Sequence, residues 1–342
     1  MKAAVFYGKD DLRIEELDRP EITCADRVLI KVKACGVCGT DMHIFDGDEG
    51  AAATPAGTVL GHEFAGEVIA VGDSVRSVKV GDRVCVDPNW LCNTCDYCRE
   101  GIGHFCEHMN GIGTTMNGGF AEYCVIPESQ VYAFGKNTSY AQAAMTEPVA
   151  CCLHGMDMCD IEQGATVAVI GGGMIGLLML QLAKLKGAAT LILLEPIKEK
   201  REIAQKLGAD ITIDPMSEDV LTVIRDHSIT RISTVIECVG KTATMEQAIA
   251  IAGKKSTVML FGLSKPDDKI AIKPFEIFKK EIVIKASFIN PYTQRRALSL
   301  IDSGKIDVSS MIYKTISLEE LPVVLADKKA RSLGKYIVSY SE

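Results

Sequence analysis

No stretch of roughly eighteen uninterrupted apolar residues occurs in this chain, so nothing in it reads as a membrane-spanning helix. Long runs of one charge sign are missing too. The net charge of −8 is dispersed, and the basic surface that a nucleic-acid partner requires is absent, so neither a membrane nor a polyanion is expected as a partner. The N-terminus, Met-Lys-Ala-Ala-Val-Phe-Tyr, runs directly into a strand-like pattern with no cleavable leader, which predicts a cytoplasmic protein. Internal repeats, low-complexity tracts and a Pro/Ser-rich linker are also lacking. What remains is an ordinary composition: 342 residues, 47% of them hydrophobic, enough to fill two cores. Of the thirteen cysteines, Cys92, Cys95, Cys98 and Cys106 fall within fifteen residues, a spacing that favours reduced thiols around a metal over disulfides.

The chain is organised around Val167–Gly176, Val-Ala-Val-Ile-Gly-Gly-Gly-Met-Ile-Gly. A short β-branched run predicts a buried strand. The glycines after it, Gly171, Gly173 and Gly176, let the backbone turn sharply and bring the N-terminus of the next helix, with Met174 and Ile175, to a pyrophosphate. Glu195 follows the last glycine by nineteen residues, at the end of a second strand, where a dinucleotide-binding βαβ unit needs a carboxylate for the ribose hydroxyls. That carboxylate would repel a 2′-phosphate, so NAD is expected over NADP. The cations that follow, Lys198, Lys200 and Arg201, leave room for NADP or form a solvated helix start. Val239 and Gly240 end a later strand on the side of the sheet where cofactors bind, and ordinary strand termination explains them equally well.

Two rhythms divide the chain. Up to about Cys152, short strands at Ala3–Tyr7, Arg27–Ala34, Glu67–Val71, Arg83–Val86 and Glu122–Ile126 are punctuated by glycine and predict a β-rich, barrel-like domain with little helix. After Gly164, strand and helix alternate, as in a parallel sheet covered on both faces. Past Ile282–Ala286, helices are expected at Thr293–Ser303 and Ser317–Lys328, then a closing strand at Tyr336–Ser339 that returns to the first domain. The expected boundaries are 1–152, with a cysteine lobe at about 88–110, then 153–287, then 288–342.

Four thiolates from Cys92, Cys95, Cys98 and Cys106 form the soft, closed, tetrahedral set that structural zinc prefers, with redox chemistry or plain packing as alternatives. Elsewhere, Cys38, the pair His62-Glu63 and Glu147 before Pro148 are each unremarkable alone. Together, a thiolate, an imidazole and a carboxylate leave one coordination position for an oxygen, which is the set a Lewis-acid metal needs. His104, His108, His154 and His227 are expected to have surface or packing roles.

The order Gly36–Asp41, Gly61–Glu63, Gly81-Asp82-Arg83-Val84, the cysteine lobe, Gly118-Gly119-Phe120-Ala121-Glu122-Tyr123, Glu147-Pro148 and Gly171–Gly176 resembles the zinc-dependent medium-chain dehydrogenase/reductase family along essentially the whole chain. Glu147-Pro148-Val149-Ala150 resembles its polyol, sorbitol-type branch. The alcohol dehydrogenase branch would place a cysteine there, and threonine dehydrogenases an Asp-Pro. Phe261-Gly262-Leu263 resembles a turn that the family places near the cofactor, and ordinary strand termination explains it equally well. The resemblance implies an α/β protein with a β-rich GroES-like catalytic domain and a Rossmann doubly wound parallel-sheet domain, two zinc ions per chain, and a dimer or tetramer. It implies that Cys38, His62 and Glu147 hold the catalytic zinc, that Glu63 is an exchangeable ligand or the partner of a metal-bound water, and that Thr40 relays the substrate proton with His43 beside it. The implied reaction is the NAD-linked, reversible oxidation of a secondary hydroxyl of a polyol, such as sorbitol, xylitol or arabitol, free or phosphorylated. Oxidation of 2,3-butanediol or L-threonine is the alternative, and a zinc-containing nucleotide-binding interaction protein is the non-enzymatic one. At the substrate rim the chain departs from sorbitol dehydrogenases, with Phe45, Ile289 and Asn290 where an arginine-containing stretch is expected. The retained cysteine lobe points to a microbial-type enzyme.

Overall fold

The computed structural model describes residues 1–48 and 53–340. The chain forms two units, Met1–Ala150 together with Asn290–Glu342, and Cys151–Ile289.

In the first unit the ten-residue strand Arg27–Gly36 is the hub, because Val28, Ile30 and Val32 bury one face in a core that also takes Val84, Val86, Ile126 and Val338. It pairs antiparallel with Glu63–Val71 on one edge. The other edge is shared: Tyr123–Pro127 lies along Arg27–Lys31, and the C-terminal strand Lys335–Ser339 lies along Ala34–Gly36. That register sets Ile337 opposite Gly36, and Gly36 opposite Glu63, so the last strand reaches the heart of the N-terminal sheet.

The second unit carries a six-stranded parallel sheet in the order Ile211–Ile213, Thr190–Leu194, Thr166–Ile170, Thr234–Glu237, Thr257–Leu260, Val283–Ala286. Successive strands leave Thr166–Ile170 first in one direction and then in the other, which creates the crevice beyond the carboxyl ends where doubly wound folds take nucleotides. The helices Met174–Lys186 and Lys198–Leu207 each stop at a glycine in the left-handed region, Gly187 at φ +103° and Gly208 at φ +110°, where a side chain would be strained.

Helix is less scarce in the first half than the sequence predicts. Gly39–Phe45 and Tyr140–Ala144 are helical, and Thr146–Met158 is a thirteen-residue helix. Pro148 hides this helix in the sequence, but it occupies the first turn, where its missing N–H would have no intrahelical partner in any case. Ser317–Lys328 contracts to Leu321–Ala326. Ser317 and Glu320 bond to each other's backbone N–H at 2.8 and 3.3 Å, forming a turn ahead of Pro322, while Asp327 accepts from Lys329 and Ala330 N–H and ends the helix.

Candidate metal centres and cofactor cradle

Cys38 stands at the start of the helix Gly39–Phe45, just past the hub strand. Asp41, fully buried in that helix, accepts the Cys38 backbone N–H through Oδ2 at 2.8 Å and presents Oδ1 to His62 Nδ1 at 3.4 Å. The contact is an ion pair without hydrogen-bond geometry, and a carboxylate set beside an imidazole is the arrangement that orients metal-ligating histidines. His62 follows Gly61, whose φ of +94° and close approach to Phe120 exclude a side chain. Glu63, also fully buried, pairs through Oε2 with the buried ammonium of Lys335. Gly36 makes that pair feasible: a Cβ there would lie 2.3 Å from Glu63 Oε2 and 2.8 Å from Lys335 Cε.

One donor atom each from Cys38, His62 and Glu63 lies within 4.8 Å of the others. Glu63 Oε1 is buried and has no hydrogen-bond partner among the described residues, which is costly unless a cation completes it. Burial opposes a charged His62, but Asp41 and Cys38 outweigh it and hold the imidazole well above its ordinary pKa. Burial, and then Glu63, push the Cys38 thiol up. A sulfur, a nitrogen and an unpartnered oxygen fit a divalent zinc ion. Glu147 stands outside this cluster, buried in the first turn of Thr146–Met158. The Cys38 thiol faces Thr40 Oγ1 at 3.9 Å, and the partly exposed His43 turns Nδ1 to Asp48 at 3.2 Å. Asp41 lies inside a motif that the sequence singles out but was given no role there. Lys335 carries no local signal at all, being 272 residues from its partner.

All thirteen cysteines are free, and Cys92, Cys95, Cys98 and Cys106 form a second group whose sulfurs lie within 4.8 Å. Backbone N–H groups aim at sulfur: Thr94 and Cys95 at Cys92 Sγ, at 3.4 and 3.3 Å, and Cys92 and His108 at Cys106 Sγ, both at 3.4 Å. The Thr94 hydroxyl, and then these backbone donors, bring the Cys92 pKa down to about 5, so its thiolate is stabilised at neutral pH. Four sulfurs and no other donor fit a structural zinc.

In the second unit the glycine-rich turn is sterically enforced. Gly171 has φ +100°, and a Cβ on Gly176 would lie 1.8 Å from the Gly171 carbonyl oxygen. Gly173 precedes the helix Met174–Lys186 and has open space where its Cβ would be, so Met174 and Ile175 begin a helix with its first turn uncovered. The structure adds a second task to Glu195. Its Oε2 accepts Gly172 N–H at 2.6 Å and its Oε1 accepts Ile197 N–H at 2.9 Å, so the carboxylate latches the turn and keeps only its remaining lone pairs for a ribose. Arg201 donates to the carbonyls of Glu195 and Pro196 at 2.7 and 2.8 Å, and Lys200 lies in the first turn of the same helix. Gly240, at φ +78°, meets Gly262, where a Cβ would lie 2.2 Å from Gly240 N, and Val239 next to it is exposed.

The expected rim is corrected. Phe45 and Asn290 are buried, at 5% and 2% exposure. Asn290 Nδ2 donates to Asp87 Oδ1 and Gln294 Oε1, both at 3.3 Å, and its oxygen accepts from Asn89, so its polar atoms serve a buried network. Ile289 takes a left-handed backbone at φ +46°.

Residues 24–136 match the alcohol dehydrogenase GroES-like domain, and residues 174–303 the zinc-binding dehydrogenase domain. The chain is 36% identical to D-arabitol-phosphate dehydrogenase of Enterococcus avium, over 92% of this chain and 89% of that protein. It is 37% identical to L-threonine 3-dehydrogenase of Caldanaerobacter subterraneus over 92% and 91%, and 34% identical to sorbitol dehydrogenase of Bacillus subtilis over 94% and 91%. A crystal structure from Sinorhizobium meliloti, described as a zinc-binding dehydrogenase bound to NADP, superposes with a TM-score of 0.95 at 37% identity, over 99% of both chains. The sulfur, imidazole and carboxylate cluster, the glycine-rich turn and these full-length relatives converge: the chain belongs to the zinc-dependent medium-chain dehydrogenase/reductase family and is an oxidoreductase acting on CH–OH groups.

Proposed function

We propose that this enzyme is a polyol dehydrogenase that uses NAD to oxidise a secondary hydroxyl of a sugar alcohol, free or phosphorylated, to the ketone. The observation that carries the reading is the buried meeting of Cys38, His62 and Glu63 with one carboxylate oxygen unpartnered. Glu147-Pro148, where threonine dehydrogenases have Asp-Pro, favours a polyol, as do the relatives that act on arabitol phosphate and sorbitol.

By the family resemblance Cys38, His62 and Glu147 would hold the catalytic zinc, with Glu63, the carboxylate grouped with Cys38 and His62, as an exchangeable ligand, and Cys92, Cys95, Cys98 and Cys106 would hold a second, structural zinc. Zinc held by these residues would supply Lewis acidity toward a substrate hydroxyl, and the nicotinamide would supply a hydride acceptor. The chain's own groups do the rest. Asp41 holds the His62 ring, Lys335 balances the charge of Glu63, and Thr40 takes the hydroxyl proton and passes it outward past His43 to solvent. Glu195 at the end of Thr190–Leu194 supports NAD over NADP.

We place the enzyme in the cytoplasm, supported by its free thiols, with a small-molecule alcohol as its partner. No helix among the described residues is long and apolar enough to cross a membrane. A homodimer or tetramer is supported by Val283–Ala286, an edge strand with an unpaired side and exposed Val283 and Ile284, a surface that invites pairing. NADH formation across arabitol, its phosphate, sorbitol, 2,3-butanediol and threonine tests the reading. The highest kcat/KM is expected with a polyol or polyol phosphate, and a preference for threonine would overturn it.

A further inference from the structure

Glu237 closes the strand Thr234–Glu237, in register with Ile170 on the strand that delivers the glycine-rich turn. It is fully buried, yet it lies at the carboxyl end of the sheet, where a buried charge needs a full set of donors. It has one. Oε1 accepts from Val239 N–H at 2.8 Å and Gly240 N–H at 3.0 Å and lies 2.8 Å from the Thr244 hydroxyl, whose proton it shares with the Lys241 carbonyl at the same distance, and Oε2 lies 3.2 Å from the same Gly240 nitrogen. Its backbone carbonyl accepts Phe261 N–H and Gly262 N–H, both at 2.9 Å, so this one residue ties together the loops after two adjacent strands.

The tied loops press on the cofactor turn. A Cβ on Gly171 would lie 2.7 Å from Val239 Cγ2, and one on Gly262 would lie 2.7 Å from Glu237 Oε2. Val239 is 40% exposed at the crevice mouth even though the carboxylate beneath it is inaccessible to water.

We propose that Glu237 is a positioning residue for the dinucleotide: by gathering Val239 N–H, Gly240 N–H and the Thr244 hydroxyl, it sets the Val239–Gly240 turn against Gly171 and fixes the crevice wall that the cofactor's nicotinamide-ribose half lies on. The proposal rests on the reading that the crevice takes NAD or NADP. A glutamine would keep an acceptor for the donors gathered at Oε1 but would turn an N–H₂, at the Oε2 position, toward the Gly240 N–H.

NADH fluorescence titration of the full-length enzyme tests it. Glu237→Gln, nearly identical in shape, should raise the NADH Kd by about tenfold or more and raise the KM for NAD in step, with the alcohol KM and the zinc content unchanged. Thr244→Val, which removes one donor, should raise the Kd about threefold, and Thr244→Ser, which keeps the hydroxyl, should restore it. A Glu237→Gln protein with the wild-type NADH Kd, or with only a lowered Tm, would overturn the proposal. Should Glu237→Gln fail to fold, equal affinities in Thr244→Val and Thr244→Ser would overturn it instead. A wild-type enzyme that bound neither NADH nor NADPH would overturn the cofactor reading itself, a result distinct from variants that bind as tightly as wild type.

Discussion

The two sulfur-bearing clusters of the first unit are assembled in opposite ways. The lobe takes four like donors from fifteen consecutive residues and supports them with N–H groups of Thr94 and Cys95, within that segment, and of His108, two residues past it. The other takes unlike donors, Cys38, His62 and Glu63, from two places in the chain and steadies them with Asp41 and the distant Lys335. A closed set of sulfurs is saturated and can only cross-link. A mixed set with an unpartnered oxygen stays open to exchange, and its charge has to be balanced from outside. Under the proposed function, the lobe would answer to stability and the mixed cluster to turnover.

The largest effect that would break this contrast is expected at Cys38. Cys38→Ser should lower kcat/KM by about a thousandfold or more while thermal denaturation stays close to wild type; a large drop in Tm would make the mixed cluster structural as well. Next comes Cys95→Ser, whose loss should appear as a Tm lowered by many degrees, with residual activity in the protein that stays folded, because metal binding in such a lobe is folding free energy. Lys335→Met leaves Glu63 buried without its counter-charge and should cost about 3–5 kcal/mol in urea denaturation, with Lys335→Arg costing less. Equal stability of the Met variant would detach Lys335 from the cluster.

The smallest effect sharpens the contrast from the lobe's side. Burial pushes Asp87, just ahead of the strand Asn89–Trp90 that leads into the lobe, up to about 6. A folded-state pKa above the unfolded value of about 3.9 means that the stability linked to its protonation is fully present below pH 4 and is lost as pH rises through about 6, roughly 2–3 kcal/mol in all. Asp87→Asn should flatten the Tm profile between pH 4 and 7, and parallel profiles would remove this assignment.

What the sequence made legible follows the same division. The cysteine lobe, the glycine-rich turn and the alternation after Gly164 are local patterns whose physics is complete within a few dozen residues. Lys335 and its pairing with Glu63 depend on a register between the last strand and the first sheet, which no window along the chain contains. The burial of Asn290 is hidden for the same reason: its partners Asp87 and Asn89 are about two hundred residues away. Thr146–Met158 was obscured by Pro148, a breaker in a helix interior but tolerated in the first turn. The second task of Glu195 is invisible in the sequence because the backbone N–H groups of Gly172 and Ile197 leave no trace in side-chain identity.

Zinc stoichiometry of the purified enzyme tests most directly the claim that two separate clusters bind metal for different ends. Elemental analysis should find two zinc ions per chain in the wild type and one in Cys38→Ser, with a different single ion remaining in Cys95→Ser. One ion in the wild type, or the loss of both from either variant, would contradict it.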